Sequence, residues 1–309
     1  MAKVLLITGA TGKQGGSVID ALLADPTAET TFVIAAVTRN PTSKGAQALA
    51  ARSPAIKIIQ GDFNDTPALF RTASEIAKAP VWGVFSVQVP MGKGQSHETE
   101  ERYGKAMVDE SVKQGVKQFV YTSVDRGGDE KSWTNPTPVP HFISKHNVEL
   151  YLRQQAASKM GWTILRPVAF MDNIVPGFQT KVFMAAWHSA LQEKPLQLIA
   201  TADIGWFAAQ AFLHPDDPTY KNKAIGLAGD ELSFSQVDAV FKKTTGNGVP
   251  VTFGVLGKAL LWGVAEMGSM MKWFKTDGYG ADVRKLRTVH PGLMNFETWM
   301  QKKSAFVTK

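Results

Sequence analysis

The sequence predicts an α/β fold of the doubly wound kind, a parallel sheet flanked by helices. Three observations carry that expectation. Residues 3–7 are an apolar, partly β-branched run that breaks into a turn holding Gly9, Gly12 and Gly15, then continues with helical spacing at Val18, Leu22 and Leu23. A second strand-like run at 31–38 follows after about one crossover's length of chain. From there strand-like and helix-like stretches alternate to residue 167, and such alternation builds parallel strands joined by right-handed crossovers.

Taken in order, the polar, alanine-rich stretch 42–52 predicts a helix and 56–59 a short strand. A turn at 61–65 precedes a helix over 67–77 and a strand over 81–87. The loop 90–97 contains glycine and is a candidate flap. A helix over 98–114, a strand over 117–123, a polar loop over 125–140, a helix restarting at 141 and a strand over 162–167 complete the alternation. Further helices read over 175–191, 204–213 and 233–245, with short extended pieces at 197–199, 223–227 and 251–253.

The strand, glycine turn and helix at the start have the form of a dinucleotide site, the Rossmann-type arrangement. Gly9 permits the tight turn, Gly12 lets backbone approach a pyrophosphate, and Gly15 lets the helix lie close on the strand. Phosphate then meets the free N–H groups at the helix start, where the helix dipole also favours negative charge. At the end of the second strand, an acidic residue would select the free ribose hydroxyl of NAD. The chain has Arg39 there, which suits the 2′-phosphate of NADP(H), and Lys44 is a candidate second cation. In the turn at 61–65, Asp62 can accept from the adenine amino group and Phe63 can lie against the ring; the competing reading is an Asx turn capping the next helix. His141, Lys145 and Glu149 recur at four-residue spacing and share a helical face, where Lys145 is a candidate for the nicotinamide ribose and the reacting centre.

Composition narrows the classes. The 309 residues and 44% hydrophobic content suffice for one α/β domain, or for that domain plus a smaller lobe. Absence of cysteine removes disulfides, thiol nucleophiles and thiolate metal ligands. The six histidines show no paired ligand spacing with carboxylates, so no metal is expected. The formal charge of +7 is dispersed and accompanied by acidic residues, which favours an anionic cofactor over nucleic acid. No apolar stretch is long enough to span a bilayer and the start reads straight into a strand, so a soluble cytoplasmic protein is expected, nuclear if it is a regulator.

The segments Gly9-Ala-Thr-Gly-Lys-Gln-Gly15, Thr38-Arg-Asn-Pro41, Gly61-Asp62, Tyr121-Thr-Ser123, His141-Phe-Ile-Ser-Lys145 and Leu165-Arg-Pro-Val-Ala-Phe-Met-Asp-Asn173, in this order, resemble the NmrA-like family of atypical short-chain dehydrogenases/reductases. The likeness extends over nearly the whole chain, to a terminal segment at 294–303. It implies a Rossmann domain over 1–167 and a smaller carboxyl-terminal α+β substrate lobe over 168–309, with the chain free to cross back between them. It also implies NADP(H) binding by Gly9, Thr11, Gly12, Gln14, Gly15, Arg39 and Lys145. Ordinary members of the wider group carry a tyrosine acid four residues before the lysine; this chain has His141 there. Relatives with such a change include both nucleotide-binding regulators and reductases of imines, enones, aryl ethers or dyes.

Three functions compete. An NADP(H)-dependent oxidoreductase would pass hydride to or from a bulky apolar molecule of iminium, enone or quinone type, in secondary metabolism, with Lys145 orienting the ribose and His141 or Ser123 as proton partners. Phe170 and Asn173, after the sixth strand, and Trp262, Met267, Met270 and Met271, in a stretch rich in thioethers and aromatics, are candidates for its substrate pocket; the same stripe also suits ordinary core. An apolar pocket of this kind could also hold an activated product for ring closure. A redox-sensing regulator would bind the two cofactor forms unequally and act through a protein partner. A nucleic-acid-binding protein rests on charge alone.

Overall fold

The computed structural model describes residues 2–89, 94–252 and 265–307. Its elements divide into two compact units. The first comprises 1–123, 144–166 and 204–225, and the second 124–143, 167–203 and 226–309. The chain passes between them repeatedly. Helices and strands that each bury an apolar face are recruited from distant parts of the sequence, and 204–213 goes back to the sheet of the first unit.

The first unit is built on strands β1 (Lys3–Ile7), β2 (Phe32–Thr38), β3 (Ile56–Gln60), β4 (Val81–Ser86), β5 (Gln118–Thr122) and β6 (Gly161–Pro167). Adjacent strands pair in parallel, and a later strand, Lys223–Leu227, completes a seven-stranded sheet in the order β3-β2-β1-β4-β5-β6 followed by that strand. What reads in sequence as a short extended piece at 223–227 is thus the seventh strand of the main sheet. β1, β4 and β5 are buried almost throughout, as expected of strands covered on both faces.

Helices α1 (Lys13–Ala24), α2 (Ala28–Thr31), α3 (Lys44–Ala50), α4 (Thr66–Ala77), α5 (His97–Lys113) and α6 (Pro140–Ala156) alternate with the strands. Their starts follow from local chemistry: Ser43 caps α3, Asp65 caps α4 with Pro67 in the first turn, and Ser96 and Thr99 form a reciprocal capping box on α5. Val148 of α6 packs where a Cβ on Gly104 of α5 would stand, 2.7 Å from its nearest methyl, so these two helices approach closely.

The second unit has its own core. A three-stranded sheet is formed by β7 (Ala169–Phe170) parallel to β8 (Leu196–Ile199), and β8 antiparallel to the strand Asp230–Leu232. Helix α7 (Phe178–Leu191), a helix over Phe234–Thr245 capped by Ser233, and helices over Ala265–Thr276 and Phe296–Lys302 surround it. Met184, Trp187, Phe241, Met271, Trp273, Phe296 and Trp299 are fully buried together. The helix expected over 175–191 begins instead at Phe178, because Gly177, at φ +150°, sets the chain direction before it. Residues 251–252 form no strand, and 253 lies outside the described residues. No helix of the described residues is long and apolar enough to cross a membrane.

Candidate functional site

In the first unit β1 has β2 on one side and β4 on the other, and the strand sequence runs outward in both directions from there. That reversal opens a crevice at the carboxyl ends of β1 and β4, the place where open parallel sheets take ligands. Thr8 pins the two strand ends together: its hydroxyl donates to the Phe85 carbonyl at 3.0 Å and accepts from the Val87 N–H at 2.9 Å. The chain then turns through Gly9, whose φ of +60° is the left-handed region. A Cβ on Gly15 would stand 2.3 Å from the Gly9 carbonyl oxygen, so α1 rests directly on the turn and no other residue fits.

Helix α1 starts at Gly12 with no side-chain cap, whereas α3, α4 and α5 are all capped by their own side chains. The N-cap Gly12 offers no side-chain acceptor at a helix start that opens on the crevice, an arrangement suited to an anion. The crevice measures about 670 Å³, within the range of small-molecule sites. The glycine turn contributes Thr8, Gly9, Thr11 and Gly12; the end of β2 contributes Thr38, Arg39, Asn40 and Ser43; and the turn after β3 contributes Gly61 to Asn64. Arg39 is exposed at its rim, and no described residue pairs with its guanidinium. Lys44 is exposed on the first turn of α3, and Ser43 rather than Lys44 lines the crevice.

Asp62 forms the Asx turn and stands on the crevice wall. Its side chain accepts from the Asn64 N–H at 2.8 Å, an Asx turn opening the short 3₁₀ turn at Phe63–Asp65, and the residue also lines the crevice. Phe63 stacks on Tyr103 of α5 with centroids 5.5 Å apart, and the Tyr103 hydroxyl donates to Asn64 Oδ1 at 2.7 Å. Tyr103 and Asn64 were not foreseen. Asn64 stood within the turn already singled out; Tyr103 is recognisable only as one more residue of the buried stripe on α5. From the loop before α5, Gln95 lines the crevice, while 90–93 lie outside the described residues.

Gln14 turns inward: its Oε1 accepts from the Thr122 hydroxyl at 2.6 Å, joining α1 to the end of β5. Ser123, buried just beyond β5, donates its N–H to the Leu165 carbonyl at 2.7 Å. On α6, Lys145 places its ammonium 2.7 Å from Oε1 of Glu100, a fully buried residue of α5, and the Ser144 hydroxyl donates to the other oxygen of the same carboxylate. Asn147 donates to Glu101 at 2.8 Å. Glu149 receives Arg166 from β6 through both Nε and a terminal nitrogen, the latter at 2.7 Å, with both residues fully buried. The face of α6 singled out in the sequence is therefore engaged with neighbouring elements through named pairs.

The remaining candidates belong to the second unit. His141 sits edge-on to Phe142, with centroids 4.6 Å apart. Phe142 in turn meets Trp273, which packs with Phe274 and Tyr279. Phe170 is half-buried in β7, and Asn173 is exposed on a 3₁₀ turn. Met271 is part of the core; Met267 and Met270 are packed against it. Trp262 lies outside the described residues. Asp125 is buried and its carboxylate accepts from the N–H groups of Gly127 at 2.9 Å, Gly128 at 3.1 Å and Gly280 at 2.8 Å. Burial pushes its carboxyl above the ordinary carboxylate range despite these donors.

The fold defines a Rossmann-type protein with a ligand-sized crevice at the carboxyl ends of β1 and β4. Residues 1–299 match the profile of the NmrA-like family, and the chain belongs to that family. An NmrA-like family domain-containing oxidoreductase of Aspergillus flavus, lnaB, is 34% identical over 263 residues, covering 79% of this chain and 74% of its own. A relative of the same description from Penicillium ochrochloron, ptmS, is 29% identical over 177 residues, covering 56% of this chain and 49% of its own. The chain spans about half the length of the first curated relatives it matches. Among solved structures, triphenylmethane reductase of Citrobacter sp., complexed with NADP(H), superposes with a TM-score of 0.71 at 19% identity, covering 97% of this chain and 99% of that one. NmrA, a negative transcriptional regulator, superposes with a TM-score of 0.69 at 18% identity, covering 98% and 96%. These two likenesses concern the fold.

Proposed function

We propose that this chain is an NADP(H)-dependent oxidoreductase that transfers hydride to or from a bulky apolar small molecule of iminium, enone or quinone type. The observation that carries the reading is the crevice itself: a glycine turn on an uncapped helix start, with Arg39, which no described residue pairs, at the end of β2. The turn and the α1 amides receive the pyrophosphate, Arg39 meets the adenosine 2′-phosphate, and Asp62, Phe63 and Tyr103 form the adenine end. The nicotinamide supplies hydride chemistry. Lys145 anchors its ribose, Gln14 and Thr122 hold the floor between α1 and β5, and His141 and Ser123 are the proton partners. The oxidoreductase descriptions of the fungal relatives support this reading.

The test follows nicotinamide absorbance with NADPH and a panel of bulky iminium, enone and quinone compounds, with Lys145→Met in parallel. Substrate-dependent oxidation that falls in the variant while NADPH is still bound supports the assignment. A second reading, a nucleotide-sensing regulator, is favoured by His141 standing where a tyrosine acid would be expected. No turnover across the panel, with tight and unequal binding of NADPH and NADP⁺, would replace the first reading by the second.

A further inference from the structure

Helix α5 buries Glu100, Tyr103, Gly104, Met107, Val108 and Ser111, positions three and four apart that form one stripe. Glu110 is buried on the same stripe, and of the two carboxylates Glu100 is the fully buried one. Glu100 lies three residues before Tyr103, hence one turn away on the same face, and Tyr103 is part of the crevice wall. Its Oε2 accepts from the Ser144 hydroxyl, while its Oε1 stands 2.7 Å from the Lys145 ammonium as an ion pair outside hydrogen-bond geometry. An ammonium has three N–H donors, so Lys145 can hold Glu100 and a ligand together. As a pair, however, the two groups carry no net charge.

That neutrality bears on the cofactor, because the nicotinamide ring is cationic in NADP⁺ and neutral in NADPH. We infer that Glu100 is a positioning and charge-balancing residue of the cofactor site: it fixes Lys145 and, by cancelling its charge, sets the relative affinity of the site for NADP⁺ and NADPH. The inference rests on the proposed placement of Lys145 at the nicotinamide ribose. It holds for an enzyme and for a sensor alike, since it concerns binding and not turnover. A lysine without this carboxylate would repel the oxidised ring and favour NADPH; the carboxylate without its lysine would favour NADP⁺.

The experiment measures dissociation constants for NADP⁺ and NADPH by calorimetry for the wild type, Glu100→Gln, Lys145→Met and the double variant. Thermal melts confirm that each is folded. The preference for NADPH should rise on the order of threefold to tenfold in Glu100→Gln, fall by a similar factor in Lys145→Met, and return to the wild-type ratio in the double variant. A merely structural Glu100 would weaken both ligands together and leave the ratio alone. If Glu100→Gln does not fold, Lys145→Met compared with the double variant isolates the same carboxylate, and replacing both members of a buried pair is commonly tolerated. A ratio that stays constant across the variants, with tight binding by the wild type, would overturn the role of Glu100 and leave dinucleotide binding standing. Failure of the wild type to bind either form would overturn the dinucleotide reading and this inference with it.

Discussion

The crevice rim and the α5–α6 seam lie in the same unit and treat polar groups in opposite ways. At the rim, Arg39 is exposed with no partner among the described residues and the α1 start lacks a side-chain cap. At the seam, Lys145 meets Glu100 and Asn147 meets Glu101, and on its far side Glu149 of α6 meets Arg166 of β6. The rim leaves its hydrogen-bonding capacity for a ligand, while the seam spends its own on fixing one helix against its neighbours. Similar residue types thus do different work according to whether the fold has already supplied their partners.

The largest effect that would break this contrast is steric. A Cβ at Gly15 meets the Gly9 carbonyl oxygen at 2.3 Å and the Thr8 carbonyl oxygen at 2.6 Å, both backbone atoms that cannot move without opening β1 from α1. Gly15→Val should abolish dinucleotide binding and most soluble, folded protein, measured by cofactor titration and circular dichroism. Gly45→Ala is the control: it lies within α3 with nothing within 4 Å of the added Cβ, and should stabilise by about 0.5–1 kcal/mol. Equal outcomes for the two would show that the turn is not the constraint.

Next in size is the seam. Arg166→Met leaves the Glu149 carboxylate buried without its fork of donors and should cost about 3–5 kcal/mol of unfolding free energy in urea. Arg166→Met combined with Glu149→Leu should recover most of that loss, because two apolar residues need no partner. A double variant as unstable as the single one would mean that the pair is worth more than its own desolvation.

These two regions also differ in how far they are legible from sequence. The glycine turn, Arg39 and the capped helix starts depend on neighbours within a few residues, so spacing alone reveals them. Glu100 carries a weaker signal, a carboxylate on an otherwise buried stripe, which announces that a partner exists without saying which. Tyr103 meeting Asn64 depends on where α5 lies beside the turn after β3, and no local pattern encodes that. The seventh strand is similar: 223–227 reads as extended, but its place in the main sheet is set by pairing across a long stretch of chain. The interleaving of the two units is a matter of which apolar face is left to cover which, and the pattern of one helix does not contain it. The expected tie of Met267, Met270 and Met271 to a pocket illustrates the same limit, since thioethers at helical spacing describe a core as readily as a binding wall.

A sharper and smaller test of the rim is Arg39→Ala. On the proposed placement of Arg39 at the 2′-phosphate, affinity for NADPH should fall by about tenfold to a hundredfold, while affinity for NADH, which lacks that phosphate, stays within about twofold. Unfolding free energy should be unchanged, because the exposed guanidinium has no partner among the described residues to lose. An equal loss for both nucleotides would place Arg39 on a part of the ligand they share.

The smallest effect concerns Asp125, which resembles the seam in being buried and the rim in being charged. Its ordinary carboxyl value is 3.8, and burial raises it in the folded chain although three backbone N–H groups favour the ionised form. The sign follows from proton counting. Below about pH 4 the carboxyl is protonated folded and unfolded, and pH has no leverage through it. As pH rises past 3.8 the unfolded chain releases its proton first, so the wild type loses stability until the folded carboxyl ionises as well, after which the loss is constant. In Asp125→Asn no proton is exchanged at this site. The unfolding free energy of the wild type minus that of Asp125→Asn should therefore decline as pH is raised from about 4, at no more than about 1.4 kcal/mol per pH unit, and then level off. Urea titrations at half-unit steps between pH 4 and 7 read this directly. A difference that grows with pH would mean that the three N–H donors outweigh burial and hold the carboxyl ionised in the folded chain.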